Sequence, residues 1–383
     1  MKAAQRLTRV SALWAFVTVV TAVGVVVAPD AARATSCPMV RDESAARKVE
    51  PSKDGEGNVY PLVTIHGITG TRGDFEKPIN LGGNPKPSRS LVDALAGRAD
   101  QPEIVGVPHM HIFSFDYHEN SLRWVTDDRV GGAFARAIDC LYQEFGVPVS
   151  VVAHSMGGLV TRWVASEGGS GGPRAAKIGK VVTIGTPYEG SLLALATAGG
   201  LDTATLAGPG IALFKFLLSW CGSQGTSSGS GPCGLISALY SQAGRSLRWR
   251  SGEIARLRAW PKSVDVTALA GETLLSNNLF GATVGTTSIG DVVVDSASAT
   301  ANADDTMKSE CRINIADTDR LSWDKINPWN LDDRFEELAN MLWDLPCYHG
   351  NLMRNLRLAN EVRGQFADWI TAKEPPAFDP GNA

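Results

Sequence analysis

The chain has 383 residues, of which 44% are hydrophobic and 20% are charged, and its formal net charge is −4. This composition is globular, because disordered chains carry fewer apolar residues. A slightly acidic chain offers no broad basic surface to phosphates, which disfavours nucleic-acid binding as the main role. Polar stretches interrupt every apolar run after residue 30, which argues against several membrane-spanning helices.

The N-terminus has the pattern of an export signal. Lys2, Arg6 and Arg9 precede the apolar run 13–27, and the small-x-small tripeptide 32–34 follows it. The apolar run is shorter than the roughly 20 residues that a membrane anchor needs. We therefore expect residues 1–34 to be a cleaved signal peptide. The mature chain is then expected to be secreted and extracellular, with no membrane span, and to be a monomer.

All six cysteines lie in the expected mature part of the chain, at Cys37, Cys140, Cys221, Cys233, Cys311 and Cys347. An even number of cysteines in an exported chain predicts disulfides. Many pairings are possible, and the sequence favours Cys221–Cys233 because a Gly/Ser-rich loop joins the two. Cys311–Cys347 and Cys37–Cys140 are the expected pairs among the rest. Metal binding is not expected, because no CxxC or HxxxH spacing occurs.

Short apolar strands alternate with helices, which predicts an α/β fold with a mostly parallel sheet. Residues 35–58 are polar and are expected to be irregular. Strands are expected over 60–65, 111–117, 149–153, 180–184, 264–270 and 291–295, and helices over 90–96, 130–145, 158–165, 334–345 and 358–371.

The interval 189–262 interrupts this alternation and is interpreted as a cap or lid insertion within a single domain spanning 35–383. It contains the apolar helix 211–220, which has polar side chains only at Lys215 and Ser219. A helix that is apolar nearly all round is either buried core or covers an apolar cavity. On the second interpretation, the substrate-facing side chains are Phe214, Leu217 and Leu218.

An apolar strand runs directly into a helix at Ser155. The residues two positions on either side, Ala153 and Gly157, are small, as a close strand-to-helix crossing requires. Such a turn holds the serine above the sheet, and the helix N-terminus behind it carries partial positive charge. This pattern predicts that Ser155 is a nucleophile. His154, its neighbour, must point elsewhere and is expected to be a packing residue.

A serine nucleophile needs a base, and His349 is the one histidine that follows Ser155 in the chain. It lies in a loop between two predicted helices, and the alternative is an ordinary surface histidine. After a nucleophile elbow the chain order is acid and then histidine. Asp291 is the preferred acid, with Asp295 and then Asp265 as the alternatives.

Two backbone N–H groups are expected to bind the oxyanion. Met156 follows the nucleophile directly. Ile68 follows the early strand in His66-Gly67-Ile68, where Gly67 allows the backbone to approach closely. We expect the N–H groups of Ile68 and Met156 to form this oxyanion hole.

In their order, five segments resemble the α/β-hydrolase superfamily, and within it secreted bacterial lipases and esterases. They are His66–Gly70, Ala153–Gly158, Thr183–Pro187, Gly290-Asp291 and His349. The resemblance covers about residues 60–370 and implies that Ser155, Asp291 and His349 are a catalytic triad. Two positions depart from the pattern: Ala153 replaces the usual glycine, and Val292 stands where related enzymes often have one.

The resemblance also implies the activity, which is hydrolysis of acyl-lipid carboxylic esters through an acyl-enzyme. No organic cofactor is expected, and a structural calcium of the kind found in some related lipases remains compatible with the pattern. Three alternatives share the machinery or the scaffold. They are a lipid acyltransferase or thioesterase, a peptidase or amidase, and a non-catalytic binding protein.

Overall fold

A mostly parallel sheet of eight strands forms the centre of the protein. The structure is a computed structural model that describes residues 37–198, 218–219, 221, 232–279, 282–314 and 342–373. The strands are β1 (Val40–Asp42), β2 (Tyr60–Ile65), β3 (Met110–Phe115), β4 (Val149–His154), β5 (Ile178–Ile184), β6 (Asp265–Leu279), β7 (Ala282–Ser288) and β8 (Asp305–Asn314).

The strand order is β1-β3-β2-β4-β5-β6-β7, with β8 also paired to β6. Only β1 and β7 pair antiparallel to their neighbours in this sheet. β4 lies between β2 and β5, so its carboxyl end is flanked on both sides by other strand ends. That edge is where ligands bind in open parallel sheets.

Helices cover both faces of the sheet. They are α1 (Glu43–Ala46), α2 (Leu91–Ala96), α3 (Ala133–Phe145), α4 (Met156–Ser166), α5 (Leu192–Ala196), α6 (Pro232–Ala238), α7 (Gln242–Ser246), α8 (Gly252–Arg256), α9 (Ser296–Thr300) and α10 (Leu356–Thr371). Helices α5 to α8 come from the predicted insertion between β5 and β6.

Alternate residues of β4 enter two separate hydrophobic cores. Val151 and Ala153 belong to the core that includes residues of α3 and α4, whereas Val152 belongs to the core formed with α2 and α10. All three side chains are fully buried, which stabilises the fold by about 1.5–3 kcal/mol for each valine. A strand that is buried on both faces consists of consecutive apolar residues. This is why β4 could be predicted from the sequence.

Most of the predicted elements are present, and three differ. Residues 35–58 are not wholly irregular, because β1 adds to the sheet edge and α1 follows it. The predicted strand 264–270 extends to Leu279 as β6 and pairs antiparallel with β7, and the pairing of β8 with it was not predicted. The predicted strand 291–295 is wrong: this segment forms a turn, for the reason given with the site below.

The structure contains the disulfides Cys37–Cys140, Cys221–Cys233 and Cys311–Cys347, which are the pairs that the sequence favoured. In the described part of the chain, no helix is both long enough and apolar enough to cross a membrane. The predicted signal peptide 1–34 lies outside the described residues, as do most of the predicted helices 211–220 and 334–345.

Candidate active site

Ser155 occupies a sharp turn between β4 and α4. Its backbone angles are φ 54° and ψ −130°, a region that a residue with a side chain adopts only at a cost of about 1–3 kcal/mol. The turn is held because the Ser155 N–H donates to the Ile184 carbonyl at the end of β5, at 2.9 Å. The predicted turn between strand and helix is therefore present, and it places the serine above the carboxyl end of the sheet.

The structure brings Ser155, His349 and Asp291 together. The hydroxyl of Ser155 lies 2.8 Å from His349 Nε2, and His349 Nδ1 lies 2.7 Å from Asp291 Oδ2. Because a carboxylate only accepts hydrogen bonds, Nδ1 carries the proton and Nε2 is free to accept from the serine. All three residues are less than 5% exposed, so little water competes for these contacts.

Asp291 lies in a tight turn that its own carboxylate stabilises. Oδ1 accepts the N–H groups of Val293 and Val294 at 3.0 and 2.7 Å, while Oδ2 faces His349. These two N–H groups are thereby withdrawn from strand pairing, and Val292 has a left-handed φ of 76°. This is why residues 291–295 form a turn. The left-handed φ also explains why related enzymes often have glycine at the position of Val292, since glycine adopts this conformation without strain.

The alternative acids are engaged elsewhere. Asp295 caps α9, where its side chain accepts from the Ala297 N–H at 2.8 Å. Asp265 lies at the start of β6 and pairs with Lys180 Nζ at 2.9 Å. Of the three aspartates considered, Asp291 alone contacts His349 in the structure.

Gly67 lies directly against the nucleophile. A Cβ atom at this position would be 2.5 Å from Ser155 Cβ and 2.9 Å from its Oγ, so only glycine fits without displacement. The Gly67 carbonyl is held from two sides, by His66 Nδ1 at 2.8 Å and by the Gly70 N–H at 3.2 Å. Because the peptide is planar and trans, the N–H of Ile68 points the opposite way from this carbonyl.

Two free N–H groups therefore flank the nucleophile. Met156 begins α4, and a helix leaves its first N–H groups without an intrahelical acceptor. Within the described ranges, neither the Ile68 nor the Met156 N–H donates to another protein group. Donors in this position are suited to a negative charge that develops on a substrate oxygen.

Buried His66 belongs to a second hydrogen-bond network behind this turn, which reaches the surface at Asp116. Its ring stacks on Tyr117 at a centroid distance of 4.3 Å, and Nε2 lies 3.0 Å from Asp116 Oδ1. The hydrogen bond to His66 holds the pKa of Asp116 well below its usual range. The Tyr117 hydroxyl also donates to the His66 carbonyl at 2.8 Å. Together these contacts fix the strand end that carries Gly67 and Ile68.

His154 was expected only to pack against its neighbours, but it also makes a specific hydrogen bond. Its Nε2 lies 3.0 Å from the backbone carbonyl of His349, so it must be the donor. The two rings are 4.8 Å apart. Burial, and then the proximity of His349, lower the pKa of His154 to about 3. The residue is therefore neutral at ordinary pH.

A cavity of about 400 Å³ opens at Ser155 and His349. Its lining combines four segments: the loop after β2, the turn at His154 and Ser155, helix α6, and the segment around His349. The residues that sequence reasoning did not single out are Asp74, Lys77, Gly234, Leu235, Trp343, Tyr348, Asn351 and Met353. No motif marks them, because their neighbourhood arises only when distant segments meet.

The predicted insertion contributes to this cavity through Gly234 and Leu235 of α6. Leu218, which was predicted to face substrate, is half-buried and packs against the larger hydrophobic core, and it does not line the cavity. Phe214 and Leu217, the other two predicted lid residues, lie outside the described residues.

Among the described residues, one group of three side chains has the spacing of metal ligands, namely Cys37, Cys140 and Glu144. The two sulfur atoms are bonded to each other in a disulfide, and a metal-binding sulfur must be a free thiolate.

No family model matches the chain, and no curated protein matches it. Solved structures with some similarity include the mature form of lipase BlEst2 from Bacillus licheniformis, at 17% identity and a TM-score of 0.42, covering 68% of this chain and 87% of that one. A soluble variant of monoglyceride lipase from Saccharomyces cerevisiae, in complex with a substrate analog, has 13% identity and a TM-score of 0.39, with coverage of 85% and 90%. Lipase B of Aspergillus fumigatus has 12% identity and a TM-score of 0.37, with coverage of 89% and 70%.

These similarities are weak in identity and in TM-score. The parallel strand order, the strained serine between β4 and α4, and the chain order of serine, aspartate and histidine occur together. By these features the chain has the α/β-hydrolase fold.

Proposed function

We propose that this protein is a secreted serine hydrolase that cleaves carboxylic esters of acyl lipids. The observation that carries the proposal is the position of His349, which links the Ser155 hydroxyl and the Asp291 carboxylate at 2.8 and 2.7 Å. Serine alone is a weak nucleophile and becomes effective when a base accepts its proton. Here the base is itself oriented by a buried carboxylate.

The mechanism follows from this geometry. His349 Nε2 takes the proton of Ser155 as Oγ attacks the ester carbonyl, and Asp291 stabilises the imidazolium that forms. The N–H groups of Ile68 and Met156 bind the oxyanion of the tetrahedral intermediate. His349 then protonates the leaving alcohol, and water cleaves the acyl-enzyme by the reverse sequence.

The cavity supports an acyl ester as the substrate. Leu235, Trp343 and Met353 provide apolar surface next to the nucleophile, which suits a hydrocarbon chain. Secretion is proposed from the N-terminal pattern of residues 1–34, and three disulfides fit an oxidising compartment. The same acyl-enzyme serves an acyltransferase when an alcohol replaces water.

The test is hydrolysis of short-, medium- and long-chain acyl esters by the oxidised protein and by the Ser155→Ala variant. We expect the variant to lose at least about a thousandfold in kcat/KM. Ser150→Ala is the matched control, because Ser150 is a fully buried serine of β4, the strand that leads to Ser155, and its hydroxyl has no hydrogen-bond partner among the described residues.

Three outcomes are informative. Loss in Ser155→Ala with retention in Ser150→Ala supports the serine mechanism. Equal activity of wild type and Ser155→Ala contradicts it. Product analysis with an added alcohol separates hydrolysis from transfer, because a transferase forms the new ester at the expense of the free acid.

A further inference from the structure

The wall of the cavity formed after β2 is polar, in contrast to the apolar surface around Trp343. Asp74 and Lys77 belong to this wall, and His154 lines the same cavity next to Ser155. None of these side chains has a part in the proposed acyl transfer. Their hydrogen-bonding capacity therefore bears on which alcohol the site accepts.

His154 lines the cavity, and its ring keeps one unused hydrogen-bond acceptor. Its Nε2 carries the proton, since it donates to the carbonyl of His349 at 3.0 Å. Burial lowers the pKa of the ring to about 3, so it has a single proton and Nδ1 is unprotonated. In the part of the chain that the structure describes, Nδ1 has no protein hydrogen-bond partner.

Asp74 also presents only acceptors. Oδ2 accepts the Thr71 N–H at 2.9 Å, and Oδ1 accepts Lys77 Nζ at 2.7 Å. Although burial raises the pKa of Asp74, the hydrogen bonds from Lys77 and Thr71 outweigh it and hold that pKa below its usual value. The carboxylate is thus ionised, and each oxygen keeps a further lone pair. Lys77 balances its charge.

In the free protein, water satisfies acceptors that line a cavity, and a bound ligand replaces that water without loss only where it brings donors of its own. We propose that Asp74 and His154 bind free hydroxyl groups on the alcohol part of the ester, so that the substrate is a partial acyl ester of a neutral polyol. A fully esterified glyceride has no hydroxyl to offer. A charged head group gains little, because Asp74 and Lys77 already neutralise each other. This inference rests on the proposed ester hydrolysis.

The test compares two soluble esters with the same acyl chain and almost the same leaving group. They are 1-monobutyrin, which has two hydroxyls, and 2,3-dimethoxypropyl butyrate, in which both are methylated. We expect wild-type kcat/KM to favour monobutyrin by about tenfold, the size of one or two net hydrogen bonds. Butyrylcholine is the third substrate, as a cationic alternative.

Asp74→Asn is the variant, because the amide oxygen still accepts from Thr71 while one acceptor position becomes a donor. We expect the preference for monobutyrin to fall to about threefold or less. Asp127→Asn is the matched control. Asp127 likewise accepts a backbone N–H, from Arg129 at 2.9 Å, and pairs with a basic side chain, Arg123, at 3.2 Å, but it does not line the cavity.

The outcomes separate this inference from the proposed function. If wild type cleaves both neutral butyrates equally well, or prefers butyrylcholine, the polyol inference is wrong while ester hydrolysis stands. If Asp127→Asn lowers the preference as much as Asp74→Asn does, the effect is not local and the inference also fails. If no butyrate is cleaved in a Ser155-dependent manner, the proposed function itself fails.

Discussion

His154 donates a hydrogen bond from Nε2 to the backbone carbonyl of His349, across 3.0 Å. The residue before the nucleophile thus holds the loop that carries the proposed base. Both rings are buried and 4.8 Å apart, so two positive charges cannot coexist there without a large penalty. This relationship makes stability depend on pH.

We expect the protein to lose stability as the pH falls below about 6.5, in part through His154. Its folded-state pKa of about 3 lies below the unfolded value of 6.5. Between these values the unfolded state therefore binds more protons, and the free energy of unfolding falls by up to about 1.4 kcal/mol per pH unit. Urea denaturation at pH 7, 6, 5 and 4 measures this slope.

His154→Gln separates this contribution from those of the carboxyl groups. Glutamine can still donate to the His349 carbonyl but does not titrate. The free energy of unfolding of the His154→Gln variant should decline less steeply than that of wild type as the pH falls over the same range. Parallel declines in the two proteins would show that His154 does not titrate as the structure implies.

Val292→Gly should cost less stability than the identical change at Val294. Both side chains are buried, at 0% and 1% exposure, so similar contacts are lost. Only Val292 has a positive φ, of 76°, and glycine relieves that strain. We expect a difference of about 1–2 kcal/mol in the free energy of unfolding, measured by urea denaturation. Equal losses would mean that the turn at Asp291 stores no strain.

Removal of the Cys311–Cys347 disulfide should impair activity more than removal of Cys37–Cys140. Cys347 is two residues before His349, so the bond tethers the loop of the base to β8. Replacing both cysteines with alanine should lower kcat by about tenfold or more, as small misplacements of catalytic groups do. The comparison uses kcat well below each melting temperature.

The control disulfide closes a longer loop, with a sequence separation of 103 against 36. In the chain-entropy model the two bonds stabilise by about 5 and about 4 kcal/mol. Loss of Cys37–Cys140 should therefore lower the melting temperature at least as much, with kcat retained. If the loss of Cys37–Cys140 lowered kcat more than the loss of Cys311–Cys347, the proposed positioning of the His349 loop by Cys311–Cys347 would be contradicted.

Gly67→Ala should abolish most of the activity without a comparable loss of folding. The added methyl group would lie 2.5 Å from Ser155 Cβ, so either the nucleophile or the turn bearing Ile68 must move. A displacement near 1 Å costs about a hundredfold in rate. Gly252→Ala, at a position with open space around the added atom, is the control. If Gly67→Ala retained its kcat, the close approach between Gly67 and Ser155 would be refuted.

The elbow could be predicted because its evidence is local. A buried strand, a serine between two small residues and a helix follow one another within about 20 residues. His349 could be singled out because no other histidine follows Ser155. The turn at Asp291 could not be predicted as a turn, because Val292, Val293 and Val294 have strong strand propensity that the aspartate hydrogen bonds override.

The sequence by itself determined the parallel centre of the sheet, the nucleophile turn and the order of the reactive side chains, since periodicity and chain order are properties of the chain. Only the tertiary structure decided among Asp291, Asp295 and Asp265, placed His154 against the His349 loop, and assembled the cavity from four distant segments. The physical reason is that hydrogen bonds act over about 3 Å in space. Ser155 and His349 are 194 residues apart in the chain, and nothing short of the folded sheet brings them within that distance.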